Sequence, residues 1–219
     1  MTMRDPSGLA RWTVLANWAW LVADVATALA ALETIRVLGG FGGVIAPVEQ
    51  LARADTLTTL AAVCYVPAFV VAGVLVLRWI FVTNRNAHGW SDHLSITPGW
   101  NVGWFFIPVA SLFKPFTGVR ETWQASVDPA APAAVPVPGV MRLWWGLWLV
   151  FCLLGNVSFR LAQHADTPDL LIASGWIDVV GVPIDAALVV ALVRVIGRTT
   201  AAQATRLGGA TLARPNSNA

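Results

Sequence analysis

The chain has 219 residues and a formal net charge of +2 at pH 7, with 57% apolar and 12% charged residues. Soluble domains carry about 25% charged residues, so this composition excludes an ordinary soluble protein and favours a membrane protein. The small net charge and the lack of a dense basic run in the sequence disfavour a nucleic-acid partner.

Four stretches are long and apolar enough to cross a hydrocarbon core, which takes about 20 residues of helix. They cover residues 12–32, 57–82, 140–161 and 175–196. Asp5-Pro6 precedes the first stretch and can open a helix, because Pro loses no hydrogen bond in the first turn. We therefore predict an all-α membrane protein in which residues 1–207 form a single domain around a bundle of four transmembrane helices.

A fifth apolar stretch lies between the second and third spans, in the sequence TPGWNVGWFFIPVASLFKPF. Its apolar part, residues 100–113, contains Pro108. At about 1.5 Å per residue this part rises about 21 Å, which is less than a core about 30 Å thick. We predict a short Pro-broken segment that is re-entrant or interfacial. A fifth crossing is the alternative.

The basic residues distinguish these alternatives, because Lys and Arg concentrate on the cytoplasmic side. With five crossings, the better orientation leaves nine basic residues inside and five outside. With four crossings, eleven lie inside, and only Arg36, Arg53 and Arg160 lie outside. We therefore predict a multi-pass protein of the cell membrane with both termini in the cytoplasm. The eleven are Arg4, Arg11, Arg78, Arg85, Lys114, Arg120, Arg142, Arg194, Arg198, Arg206 and Arg214.

The remaining segments are predicted to lie outside the spans. Residues 116–126 fit an amphipathic helix in the membrane interface, with Phe116, Val119 and Trp123 on one side. Residues 127–139 form a Pro/Ala linker that should be extended and semi-rigid. Residues 208–219 are predicted to be a disordered tail.

Three acidic residues, Asp24, Asp178 and Asp185, fall inside the predicted spans. Carboxyl groups at membrane depth are costly and usually face the bundle interior, which makes them functional candidates. Asp178 and Asp185 are seven positions apart and share a helix face, and Pro183 between them frees a carbonyl group. One interpretation is a proton or cation site between the first and last spans. The other is neutral hydrogen bonding between helices. Polar side chains that could serve as partners are Thr27, Thr58, Thr59, Asn156 and Ser158.

Two other clusters have less specific patterns. His88, Asp92 and His93 offer ligands that suit a divalent metal, but a polar loop without a fixed scaffold favours solvated side chains, and we predict no metal. A basic cluster could meet anionic lipid head groups, although the positive-inside rule explains the same residues. Nothing in the sequence matches a cofactor, nucleotide or nucleophile motif, so no cofactor is expected. The basic cluster consists of Arg85, Lys114, Arg120 and Arg142.

Several short motifs follow one another between residues 85 and 126. In these motifs the chain resembles a bacterial integral membrane family, domain of unknown function 4328, with a similarity that extends over roughly residues 70–196. Thr97 and Ser111 stand where Ser and Asn are usual in the family, and both keep a small hydrogen-bonding side chain. The resemblance implies a helical membrane fold and supplies no activity and no catalytic residues. The motifs are Arg85-Asn86-Ala87, Pro98-Gly99-Trp100, Gly103-Trp104, Phe106-Ile107-Pro108, Lys114-Pro115 and Arg120-Glu121-x-Trp123 with Ser126.

Two functions from different classes are compatible with these features. The favoured one is a non-catalytic scaffold, sensor or partner-binding component that contacts a protein or anionic lipid through the short segment and the interfacial helix. The distinctive residues are aromatic, Gly and Pro, which shape a surface and do not transfer protons, so an enzyme is disfavoured. The alternative is a small transporter or membrane enzyme that uses Asp24 and Asp185 on a proton, ion or lipid substrate.

Overall fold

The computed structural model of the protein describes residues 3–40, 47–165 and 167–212, and in these ranges every regular element is a helix. The predicted all-α class is therefore confirmed. Three 3₁₀ turns, Trp104–Phe106, Val109–Leu112 and Pro132–Ala134, accompany the α-helices. The α-helices are α1 (Ser7–Gly39), α2 (Val48–His88), α3 (Pro98–Gly103), α4 (Lys114–Val127), α5 (Gly139–Gln163) and α6 (Pro168–Leu212).

Among the described residues, three helices are long and apolar enough to cross a membrane: α2, α5 and α6. The prediction of four such helices is wrong for the first span. With 33 residues, α1 has ample length. Its composition falls short because Asn17 and Asp24 interrupt the apolar run, and because alanine and indole side chains contribute less apolar character than Leu, Ile or Val.

The stretch at residues 100–113 is not one continuous helix. The helix α3 starts at Pro98, and Thr97 before it makes no side-chain capping hydrogen bond. Its six residues rise only about 9 Å, far less than the thickness of a hydrocarbon core. Two 3₁₀ turns follow, separated by Ile107 in an extended conformation. Ile107 is extended because the ring of Pro108 disfavours helical backbone in the residue before it.

The helix α4 contains the predicted amphipathic stretch, and most of its buried face consists of small or polar residues. Phe116 and Trp123, which were expected on the apolar side with Val119, are only half-buried. A face of small residues lets another backbone approach closely, so α4 packs tightly on that side. The buried residues are Pro115, Gly118, Val119, Thr122, Ala125 and Ser126.

Proline residues lie at or directly before the starts of the long helices. The Asp5 carboxylate accepts a hydrogen bond of 2.9 Å from the Ser7 backbone N–H at the start of α1. Hydrogen bonds from the Ser7 side chain and backbone lower the pKa of Asp5. The predicted Pro/Ala linker lies between α4 and α5. The helix α6 continues to Leu212, which includes the first residues of the predicted tail, and residues 213–219 lie outside the described part.

Packing divides the chain into two compact units. Unit 1 contains Met1–Leu15, Gly73–Trp145 and Ala191–Ala219, and unit 2 contains Ala16–Ala72 and Gly146–Val190. The motif residues at 85–126 belong to unit 1, and the three acidic residues of the predicted spans belong to unit 2. The described core of unit 1 includes Trp79, Ile80, Val119, Met141, Trp144, Val195 and Ile196. That of unit 2 includes Trp20, Leu21, Val37, Leu188 and Val189.

Candidate functional site

Unit 2 contains a cavity of ≈ 260 Å³ whose wall includes all three acidic residues of the predicted spans. Asp24 comes from α1, whereas Asp178 and Asp185 come from α6. The last two reach one cavity because residues seven apart lie nearly on the same helix face. We call this space the acidic cavity. Its described lining residues are Asp24, Thr27, Tyr65, Phe151, Leu154, Gly155, Ser158, Phe159, Ile177, Asp178, Gly181 and Asp185.

One of the three carboxyl groups is held by hydrogen bonds within the protein. The Ser158 hydroxyl donates to Asp178 Oδ1 over 2.7 Å, and it lies 3.2 Å from the Ser174 hydroxyl. A hydroxyl has a single proton to donate, so Ser174 must donate to Ser158 when Ser158 donates to Asp178. Both serines are buried. The orientation of the Asp178 carboxyl is therefore fixed from α5.

The other two carboxyl groups lack such partners. Asp185 is only 7% exposed and makes no hydrogen bond or ion pair with any residue that the structure describes. Asp24 Oδ2 is buried and has no hydrogen-bond partner in the same ranges. Leaving a buried polar group unpaired costs free energy, and the cost is larger for a charged group. Asp24 and Asp185 are thus available to a proton or another ligand in the acidic cavity.

Aromatic rings form part of the same wall. The rings of Tyr65 and Phe69 are stacked with centroids 6.1 Å apart, and Trp20 meets Phe151 edge to face at 5.4 Å. Offset and edge-to-face contacts of this kind hold rings in defined orientations. Tyr65 and Phe151, together with Phe159, line the acidic cavity. The cavity therefore combines carboxyl groups with aromatic surface.

The predicted hydrogen-bonding partners of the acids are mostly engaged elsewhere. Ser158 is the only one of the five that pairs with a carboxyl group in the described structure. Thr27 donates to the Ala23 carbonyl over 3.1 Å, although it also lines the acidic cavity. Asn156 accepts a hydrogen bond of 2.9 Å from Arg160. The interpretation as hydrogen bonds between helices accordingly fits Asp178 better than Asp24 or Asp185.

The histidine cluster between α2 and α3 does not assemble a metal site. The His88 ring nitrogen Nε2 lies 3.0 Å from the Ile96 carbonyl, and the Ser91 hydroxyl accepts from the His93 backbone N–H. Among the described residues, no group of three or more His, Cys, Asp and Glu side chains could hold a metal ion. The same finding applies to the three carboxyl groups of the acidic cavity.

In unit 1, the motif residue Asn86 belongs to a buried polar network. Its amide oxygen accepts from the Arg4 backbone N–H over 3.1 Å, and its amide nitrogen donates to the Arg4 carbonyl and to Gln203 Oε1. The Gln203 amide nitrogen donates to the Thr83 carbonyl over 2.8 Å and to the Ser126 hydroxyl over 2.9 Å. These bonds connect α2, α4 and α6.

Further polar contacts strengthen the same unit. Asn84 donates to the Thr122 hydroxyl over 2.9 Å, and the Trp79 indole N–H donates to the Thr200 hydroxyl over 3.1 Å. The Arg206 guanidinium donates to the last carbonyl groups of α4, where a cation also meets the negative end of the helix dipole. Unit 1 is therefore held by side chains far apart in the sequence.

The helices α3 and α4 approach each other closely where Asn101 meets Gly118. A Cβ atom on Gly118 would lie 2.0 Å from Asn101 Oδ1 and 2.6 Å from its Cγ. Asn101 is completely buried. Only glycine fits at position 118 while Asn101 keeps this position. This contact anchors the short helix α3 against α4.

Several aromatic and charged motif residues of unit 1 are exposed or half-buried. Trp100 and Trp104 stack with centroids 4.7 Å apart, and the Lys114 ammonium lies 5.8 Å from the Trp104 ring. Glu121 accepts hydrogen bonds from the Ser95 backbone and hydroxyl over 2.9 and 2.7 Å. These contacts hold the ends of α3 and α4 in place.

The remaining predicted site residues also belong to unit 1. Arg85 lies 6.0 Å from the Phe81 ring. Pro98, Gly99, Gly103, Pro108 and Pro115 occur at the helix ends and turns of residues 98–115. Buried polar atoms without a partner in the described ranges include Arg85 Nη2, Arg120 Nε and Trp123 Nε1. The predicted basic cluster, Arg85, Lys114, Arg120 and Arg142, belongs entirely to unit 1.

The sequence analysis did not identify several residues that the structure shows to be buried or to line the acidic cavity. Gln203 could have been identified, because it is a polar residue beyond the last predicted span, on a helix that continues there. Asn101 lies within the family motif and was not singled out. Tyr65, Phe151 and Phe159 gave no signal, because an aromatic residue in an apolar helix is usually explained by packing.

In the ranges that the structure describes the protein is all-helical, and three of its helices could cross a membrane. The sequence pattern of the family described as Domain of unknown function (DUF4328) matches residues 46–201. This range covers more than half of the chain, so the protein belongs to that family, and the resemblance found in the motifs is confirmed. No curated protein and no solved structure matches the chain.

Proposed function

We propose that the protein is a multi-pass membrane protein that binds a cation, a proton included, in the acidic cavity of unit 2. The observation that carries the proposal is the position of Asp24 and Asp185 on one cavity wall: Asp185 is buried, Asp24 is half-buried with its Oδ2 atom buried, and neither carboxyl group has a hydrogen-bond partner among the described residues. No Lys, Arg or His occurs among the described lining residues. A cation would supply the missing charge and ligand interactions.

The proposal includes a topology in which α1 crosses the membrane with α2, α5 and α6. Composition alone does not support a crossing for α1, but packing does. Asp24 in α1 and Asp185 in α6 line the same cavity, so these parts of the two helices lie at one depth. The short pieces at residues 98–112 support a segment that returns to its starting side. Both termini then lie in the cytoplasm, as the distribution of Lys and Arg favours.

Carboxyl chemistry can test the cation site directly. A hydrophobic carbodiimide modifies protonated carboxyl groups inside membranes, and mass spectrometry identifies the residue that reacts. In the full chain, purified in a mild detergent, we expect Asp24 and Asp185 to react. An added cation that binds to these carboxyl groups should slow the reaction, whereas sucrose at the same osmolarity should not. Asp169 is the matched control, because it is exposed at the start of α6 and does not line the acidic cavity.

Two variants test the cation site at its carboxyl groups. Asp24→Asn and Asp185→Asn should each abolish labelling at the changed position and weaken cation protection at the other. Equal labelling of Asp24, Asp185 and Asp169 under all ionic conditions, with no protection by sodium, potassium or organic cations, contradicts a cation site.

A second candidate is a partner-binding membrane component, and exposed apolar side chains in unit 1 support it. Lipid tails or a partner helix would remove these side chains from water. A photoreactive residue tests this function: Phe106→benzoylphenylalanine in native membranes should crosslink to a defined protein. The matched control is Val22→benzoylphenylalanine on α1. Crosslinking to lipid alone at both positions excludes a protein partner for this surface. The exposed residues include Trp100, Phe106, Ile107, Val109, Leu112 and Phe113.

The topology has a separate test by cysteine labelling. In a variant without Cys64 and Cys152, single cysteines are introduced as Asp92→Cys and Ala130→Cys, both at exposed positions on either side of the short segment. An impermeant reagent should reach the two cysteines from the same side of the membrane. Labelling from opposite sides would mean that the short segment crosses, and would remove the charge argument for cytoplasmic termini.

A further inference from the structure

The size of the acidic cavity limits what it can hold. A water molecule takes about 30 Å³ of liquid volume, and a cavity of about 150 Å³ accommodates benzene. The acidic cavity measures ≈ 260 Å³. A proton or a single bare metal ion would leave most of this space to water. Drug-sized pockets start at about 300 Å³, so the volume suits a small organic ligand.

The charge of the wall limits the ligand further. Three carboxyl groups and no basic side chain line the cavity in the described residues, which excludes an anion. A divalent metal is disfavoured because these carboxyl groups do not form a group that could hold a metal ion. A wholly apolar ligand would leave Asp24 and Asp185 without partners, at a cost in free energy. A cation with an organic part satisfies all three conditions.

The aromatic rings in the wall of the cavity favour a cation that carries alkyl groups. Cations that carry alkyl groups bind over the faces of aromatic rings, and quaternary ammonium ions are bound in this way in aromatic cages. Tyr65, Phe151 and Phe159 supply rings to the wall. Contacts from Trp20 to Phe151 and from Phe69 to Tyr65 hold two of these rings in place. The cavity thus offers both of the features that recognise an alkylammonium ion.

We infer that the acidic cavity binds a small organic ammonium ion, with Asp24 and Asp185 facing its charge and the rings of Tyr65, Phe151 and Phe159 contacting its alkyl groups. This inference rests on the proposed cation-binding function and names the ligand class for that site. Asp178 is already hydrogen-bonded to Ser158, so it lines the cavity as a third carboxyl group without facing the ammonium charge. Inorganic monovalent cations should compete only weakly, because they carry no alkyl groups to fill the aromatic part of the cavity.

Binding can be measured by calorimetry on the full chain in a mild detergent, with benzyltrimethylammonium as the probe. Its neutral analogue neopentylbenzene, which has the same shape, is the matched ligand. We expect saturable binding of the cation and none of the analogue. Asp24→Asn and Asp185→Asn should each weaken binding about tenfold or more, as expected when one partner of a desolvated charge pair is neutralised. Asp169→Asn should leave binding unchanged.

The aromatic contribution is tested by Tyr65→Leu, which should weaken binding about threefold to thirtyfold. Tyr65→Phe keeps the ring and should bind like the original protein, which separates a ring contact from a hydroxyl contact. Phe106→Leu is the matched control for loss of an aromatic residue outside the acidic cavity. Helix content and thermal unfolding of each variant are measured in parallel, so that a folding defect is recognised.

The outcomes separate the ligand class from the proposed function. Equal binding of the neutral analogue, or unchanged affinity in both Asp→Asn variants, overturns the ammonium site. If sodium or potassium protects Asp24 and Asp185 from carbodiimide labelling but benzyltrimethylammonium neither protects nor binds, the ammonium inference fails and the cation site stands. If no cation protects these carboxyl groups, both fail.

Discussion

Replacement of Gln203 by Met should destabilise unit 1 strongly, because Gln203 joins three helices in its buried centre. Its side chain is completely buried and makes three hydrogen bonds, to the Thr83 carbonyl, the Ser126 hydroxyl and the Asn86 amide. Methionine has a similar length and shape, so the change removes polar interactions without leaving a large cavity. Gln203→Met therefore isolates the contribution of the hydrogen bonds.

The magnitude follows from these three bonds. Hydrogen bonds between membrane helices contribute about 0.6 kcal/mol on average, which gives a lower value of about 2 kcal/mol for the set. In soluble proteins a typical bond contributes about 0.5 to 1.5 kcal/mol, which raises the upper value for three bonds to about 4.5 kcal/mol. Asn86 keeps its bonds to Arg4 after the change, so it is not left wholly unpaired. We expect a loss of about 2 to 4.5 kcal/mol in the free energy of unfolding.

The assay is reversible unfolding of the full chain by sodium dodecyl sulfate in mixed micelles, followed by tryptophan fluorescence. Gln163→Met is the matched control, because Gln163 is exposed at the end of α5. Its free energy of unfolding should stay within about 0.5 kcal/mol of the original value, as is usual for surface substitutions. If Gln203→Met also falls within this range, the polar network does not stabilise the fold, and the interpretation of unit 1 is wrong.

Three further changes test packing and hydrogen bonding at single positions. Gly118→Ala should destabilise the protein by about 1 to 3 kcal/mol, because the added Cβ overlaps Asn101; Gly197→Ala, with open space around it, should be neutral or stabilising in the same unfolding assay. Trp79→Phe should cost about 1 to 2 kcal/mol through the lost bond to a buried hydroxyl and the lost volume, and equal stability would contradict that bond. Ser158→Ala releases the Asp178 carboxyl, and carbodiimide labelling of Asp178 should increase while helix content stays the same.

The sequence predicted the helical elements well where local chemistry decides them. Apolar runs predicted long helices in the ranges of α1, α2, α5 and α6, although α1 is not apolar enough by composition to cross a membrane. Pro108 predicted a break, and the structure has Ile107 in an extended conformation directly before it. These features depend on residues close together in the chain, which is why composition and proline positions were enough.

Long-range packing could not be predicted in the same way. Gln203 pairs with Asn86 over a separation of 117 residues, and no local pattern marks such a pair. The apolar face expected on α4 was based on Phe116, Val119 and Trp123. Val119 is buried, but Gly118 and Thr122 are buried with it instead of Phe116 and Trp123, which are half-buried. Only a small residue fits at position 118, because Asn101 on the neighbouring helix α3 lies against it. The sequence alone does not identify that neighbour.

The family motif and the acidic cavity carry different kinds of information. Asn86 stabilises unit 1 through buried hydrogen bonds, so its presence in the motif is explained by folding. Asp178 and Asp185 lie within the range that matches the family, residues 46–201, but Asp24 lies before it. One of the two unpaired carboxyl groups of the acidic cavity is therefore supplied by a helix outside the family pattern. The family pattern therefore covers only part of the acidic cavity, and the proposed ligand must be measured on the full chain because α1 supplies Asp24.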